Sequence, residues 1–120
     1  MVQPSAIPGE VVSLPTQVLS GGADQIRQLV KTGFLRISHI AIPAGRQIPT
    51  YEAEGEVVLH CLEGKVSVTA LARSSELASG QLLFLVVNEP FSIVGLESSS
   101  LLITVIQPPV NVDRQLIGGE

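Results

Sequence analysis

Residues 45–64 read "GRQIPTYEAEGEVVLHCLEG". The stretch follows a Pro43-Ala44 turn that ends on Gly45, and its apolar and polar residues then alternate through 47–53. Side chains of a strand point to opposite faces in turn, so Tyr51 and Ala53 share one face while Glu52, Glu54 and Glu56 share the other. A second segment, 57–62, is apolar and ends on Glu63-Gly64, a hairpin signal. The segment therefore reads as two strands separated by glycine turns. The three glutamates read as a solvated face or rim, where charge discourages edge-to-edge pairing.

The same pattern continues on both sides. Turn signals recur at Pro8-Gly9, Gly21-Gly22, Gly33, Arg73-Ser74-Ser75, Ser79-Gly80, Asn88-Glu89-Pro90, Ser98-Ser99-Ser100 and Pro108-Pro109. Between them lie segments rich in Val, Ile and Leu at 34–42, 65–72, 81–87, 91–96 and 101–107. Many short strands at this spacing predict an all-β sandwich or barrel. The one helical candidate is 23–31, "ADQIRQLVK", where Ile26, Leu29 and Val30 stand at i, i+3 and i+4 and Asp24 could cap. A short helix or turn running into a strand near 29–32 explains the same residues equally well. The organisation is one structural domain: N-terminal strands and a short helix or turn in 1–33, a barrel in 34–107, and a loosely held tail in 108–120.

The strands "FLRISHIAI" and "SLLITVI" carry apolar residues on both faces. A strand wet on one side alternates more cleanly than this. A second covering layer is expected, and a symmetric homodimer supplies one.

Composition limits the partners. The 120 residues are 45% hydrophobic and only 3% aromatic, so the core must be aliphatic. The formal charge is −4 with no basic cluster, which argues against nucleic acid and against an anionic membrane surface. No apolar run approaches the ~20 residues of a membrane helix. The N-terminal residues show no signal-peptide pattern, and the single cysteine, Cys61, permits no intrachain disulfide, as expected of a cytoplasmic protein.

The span 34–107 resembles a small single-domain cupin. Gly45 and Gly64 match the two ends of that family's first motif, and Gly80 opens the second. The resemblance implies a jelly-roll barrel, a double-stranded β-helix, in which the family holds a metal ion by two histidines, a glutamate and a third histidine. Here Tyr51 and Ala53 stand where the first two histidines belong, Val57 where the glutamate belongs, and Phe91 where the third histidine belongs. Val86 replaces the second motif's proline, and Gly95 stands in the place of its asparagine.

If those positions point inward, alternation adds Leu59 and Cys61 beside Val57. The expected site is an apolar interior lined by Tyr51, Ala53, Val57, Leu59, Cys61 and Phe91, with one hydroxyl and one thiol. A catalytic metal wants about three imidazole, carboxylate or thiolate ligands, which this set does not supply. No cofactor is expected. A relocated metal site would have to draw on His39, His60 or Glu52, Glu54 and Glu56. His60 and Cys61 are neighbours on one strand and cannot share an ion, while His39 could meet His60 across the outer face. No nucleophile elbow, phosphate loop or dinucleotide fingerprint is present. The expected function is that of a non-enzymatic, metal-free protein whose barrel is either filled by its own side chains or binds a small, mostly apolar molecule. The alternative is a metal-dependent oxygenase or isomerase with a rebuilt site.

Overall fold

The computed structural model describes residues 7–14 and 25–107. The expected tail at 108–120 and the first two residues of the helical candidate lie outside them. Nine strands are present among the described residues and no helix. They are β1 (Gln25–Lys31), β2 (Leu35–Ile42), β3 (Gln47–Tyr51), β4 (Glu56–Glu63), β5 (Lys65–Ala70), β6 (Arg73–Ala78), β7 (Leu82–Leu85), β8 (Phe91–Gly95) and β9 (Ser99–Ile106). All pairings are antiparallel. One sheet has the order β1-β2-β9-β4-β7 and the other β3-β8-β5-β6. Strands adjacent in space but distant in sequence, such as β2 with β9 and β5 with β8, make this a jelly roll.

The core forms where the inward faces of the two sheets meet. Ile40 and Ile42 of β2, Val57, Leu59 and Cys61 of β4, Val66 and Val68 of β5, Phe91 and Ile93 of β8, and Leu101 and Val105 of β9 belong to one buried cluster. Each set follows the period of two, so sequence alternation translates directly into one face of a sheet. With few aromatic residues, the interior is filled by branched aliphatic side chains that fit a pleated surface.

The helical expectation at 23–31 does not hold, because 25–31 is strand β1. Gln28 lies opposite Ser38 and Val30 opposite Ile37, so Leu29 is one extra residue in β1. Such a bulge breaks the alternation. It spaces Ile26, Leu29 and Val30 at intervals of three and one, which imitates a helical stripe. The turn into β2 is closed by Thr32, whose Oγ1 accepts hydrogen bonds from the Phe34 and Leu35 amides at 3.1 and 3.0 Å.

A second correction concerns Arg73-Ser74-Ser75. These residues belong to β6, and the hairpin turn is Leu71-Ala72, both at positive φ (55° and 62°). Two consecutive residues in that region form the type I′ pattern that matches strand twist.

Candidate functional site

β3 is an edge strand of the smaller sheet and carries Pro49, whose missing N–H is tolerated at edges and bulges. Ile48 lies opposite Ile93 and Tyr51 opposite Phe91, so β3 contains one extra residue between them. The bulge brings Ile48 and Tyr51 to the same side of the strand. Tyr51 ends at the mouth of the barrel, 44% exposed. Its ring meets Phe91 edge-to-face, with centroids 5.8 Å apart and planes at 83°.

Beside this pair lies a cavity of about 420 Å³. Its walls come from both sheets: Ile26 on β1, Arg36, Ser38 and Ile40 on β2, Ile48 to Tyr51 on β3, Phe91 and Ile93 on β8, and Ile103 and Val105 on β9. The lining is apolar except at Arg36, Ser38, Thr50 and Tyr51. A concave, mostly apolar site with few polar groups has the usual form of a small-molecule pocket, and this one is at the small end of the range.

Two of the six residues expected to line the interior, Tyr51 and Phe91, border this cavity. Ala53, Val57, Leu59 and Cys61 are buried and packed in the core cluster on the β4 side. The barrel is therefore filled on one side and open on the other. The remaining cavity residues were not singled out from the sequence. Their signal was the inward face of "FLRISHIAI", where Arg36 and Ser38 precede Ile40 and Ile42 at alternate positions.

The residues at the family's ligand positions do not fit a metal ion. Ala53, Val57 and Phe91 offer no donor atom, and Tyr51 alone cannot make a site. Gly95 explains why no asparagine stands there. Its backbone is joined to the 43–46 turn by hydrogen bonds from Gly45 N to Gly95 O (2.7 Å) and from Gly95 N to Arg46 O (2.9 Å). A Cβ at 95 would lie 2.6 Å from the Pro43 carbonyl oxygen.

The histidines are on the outer face of the larger sheet but do not meet. His39 and His60 each lie opposite Leu102 of β9, one on either side. Two strand spacings, roughly 9–10 Å, separate their backbones, and Leu102 stands between them. Glu52, Glu54 and Glu56 are all exposed. Among the described residues no three His, Cys, Asp or Glu side chains come together in a way that could hold a metal.

His39 is instead a packed residue. It is buried, and its Nε2 shares a 2.5 Å hydrogen bond with Ser100 Oγ. Burial lowers its pKa below the ordinary histidine value, Arg27 adds to this, and Glu63 opposes it. Cys61 is fully buried, with Sγ 3.4 Å from the Glu63 carbonyl oxygen. Burial raises its pKa and Glu97 adds to that, while the contact with the Glu63 backbone lowers it. A protonated thiol against apolar neighbours is a poor nucleophile. No helix among the described residues is long and apolar enough to cross a membrane.

No protein-family model matches the sequence, and no curated protein is detectably similar to it. Solved structures do match. A conserved Streptococcus pyogenes protein of unknown function aligns with a TM-score of 0.75 at 21% identity, over 85% of this chain and 90% of that one. An RmlC-like cupin family protein with a double-stranded β-helix fold from Methanocaldococcus jannaschii aligns with a TM-score of 0.71 at 18% identity, over 90% and 99%. An RmlC-like cupin protein from Desulfovibrio desulfuricans aligns with a TM-score of 0.70 at 16% identity, over 83% and 100%. At these identities the likeness establishes the fold alone, that of the cupin double-stranded β-helix.

Proposed function

We propose that this cupin-fold domain is a metal-free binding protein, not an enzyme, and that it takes a small, mostly apolar molecule between its two sheets. The observation that carries the reading is the pairing of lost donors with retained space. Tyr51, Ala53, Val57 and Phe91 occupy the family's ligand positions, yet about 420 Å³ stays open beside Tyr51 and Phe91. Among the described residues no nucleophile–base pair lines that space, since its wall holds no histidine, cysteine or carboxylate.

Two measurements test this. A thermal-shift series with Mn, Fe, Ni and Zn ions should leave the melting point unchanged, whereas an ion at ~100-fold excess over its Kd would contribute about 2.7 kcal/mol. Elemental analysis of purified protein should find no stoichiometric metal. Metal that is present at one ion per chain and lost on mutating cavity residues would refute the proposal.

The proposed protein partner is a second copy of this chain. Val30, Ile37, Thr104, Val58 and Phe84 form one row across the outer face of the larger sheet. Phe84 is 56% and Leu82 62% exposed. The five strands hold 7, 8, 8, 8 and 4 residues in sheet order and, at ~3.4 Å per residue and ~4.8 Å spacing, offer roughly 570 Å² per copy, somewhat below the ~800 Å² of a standard interface. Sedimentation velocity should give a dimer, and Phe84→Glu should give a monomer that keeps the β-sheet circular dichroism signal. A wild-type monomer at high micromolar concentration would remove this partner.

A further inference from the structure

Among the described residues, the cavity wall holds one cation whose hydrogen bonding is left incomplete. Arg36 faces the space between the sheets, two positions before Ser38 and four before Ile40 on the inward face of β2. Its Nε atom is buried and has no hydrogen-bond partner among the described residues. Buried polar groups in native proteins are almost always paired, because an unpaired donor keeps its full desolvation penalty. Lys31 lies directly opposite Arg36 on β1. Like charges at opposed positions repel, so Arg36 gains no countercharge from the β1 residue it pairs with, and among the described residues its Nε lacks an acceptor. The rest of the wall is hydrocarbon: Ile26, Ile40, Ile48, Ile93, Ile103 and Val105.

We infer that the natural ligand of this cavity is a small amphiphilic carboxylate. Its acid group accepts hydrogen bonds from Arg36, and its hydrocarbon body lies against the isoleucines. A planar guanidinium matches a carboxylate with two parallel N–H donors, and the Ser38 and Tyr51 hydroxyls line the same space to serve further lone pairs. This inference rests on the reading of the barrel as a binding site and adds the chemical class of what is bound.

The test compares sodium octanoate with 1-octanol, which share a chain and differ in the charged head. Each is titrated into 15N-labelled protein at pH 7.5 and followed by chemical shifts. Octanoate should bind roughly ten- to a hundred-fold more tightly, the ratio expected for charge-assisted hydrogen bonds. Arg36→Met, which keeps the aliphatic stem, should abolish that preference by weakening octanoate while leaving 1-octanol unchanged. Arg36→Lys keeps the charge and should retain part of the preference, and the spectral dispersion of each variant reports its folding. Equal affinities for the two probes in the wild type would overturn the carboxylate inference and leave the apolar cavity standing. A preference that survives Arg36→Met would overturn the role of Arg36. Binding of neither probe would overturn the small-molecule reading itself.

Discussion

Adding the same side chain at two inward positions should have opposite effects on stability. Ala53 is 2% exposed and belongs to the packed cluster on the β4 side. Ser38 lines the cavity. In Ala53→Leu three extra carbons have no space, and overpacking of this kind costs ~1–3 kcal/mol. In Ser38→Leu the new carbons enter existing space. Burying two to three of them contributes about 2 kcal/mol at ~0.8 kcal/mol each, and loss of side-chain freedom removes roughly 0.5–1 kcal/mol of that. The net is a gain of about 1 kcal/mol, so the variants should differ by ~2–4 kcal/mol. Urea unfolding at pH 7.5 reads the difference directly. With a slope near ~1.5 kcal/mol per molar, the midpoints should lie roughly 1.3–2.7 M apart, with Ser38→Leu above the wild type and Ala53→Leu below. A stabilised Ala53→Leu together with a destabilised Ser38→Leu would place the free volume against β4 and refute the description of the barrel. Ser38→Leu should also abolish octanoate binding, since it occupies the same space.

Three further outcomes are expected. Because burial lowers the His39 pKa, the unfolded chain binds a proton at higher pH than the native one. Stability is full above about pH 6.5 and falls as pH drops toward the native value, by ~1.4 kcal/mol per pH unit of that window. Urea midpoints at pH 7.5 and 5.0 should therefore diverge more in the wild type than in His39→Gln. Gly64 has φ +81°, and a Cβ there would lie 2.3 Å from the Ser98 carbonyl oxygen, whereas Gly45 has φ +83° and open space around it. Gly64→Ala should cost more than ~2 kcal/mol and Gly45→Ala about 1 kcal/mol, measured by thermal unfolding. The buried, protonated Cys61 should react with a disulfide reagent roughly 100-fold more slowly in the native protein than in urea.

Most of the strands were legible in the sequence, because period-two alternation survives wherever pairing is regular. Leu101, Ile103 and Val105 point into the core and Leu102, Thr104 and Ile106 away from it, as the two-faced reading of "SLLITVI" requires. The misread segments share one physical cause, local departures from regular pairing. The extra residue Leu29 turned a strand into an apparent helical stripe. Leu71-Ala72 makes a positive-φ turn without the Asn-Gly or Asp-Gly chemistry that would announce it, so the turn was assigned to the neighbouring serines. At the site, the loss of metal donors was readable from residue types alone. The position of the free space was not. It depends on how the side chains of β4 meet those of β5 and β8, a property of packing with no linear signature.

The strand that bounds the cavity beside Arg36 is held from one side only. β1 is an outermost strand, hydrogen-bonded only to β2, and its ladder is interrupted at Leu29. Peeling it away breaks one set of hydrogen bonds and leaves the β2-β9-β4 centre of the sheet intact. This side of the cavity wall can therefore open by local fraying of an edge, without global unfolding. The irregularity in a single strand thus places the least cooperative part of the larger sheet beside the one cation that the cavity wall holds among the described residues.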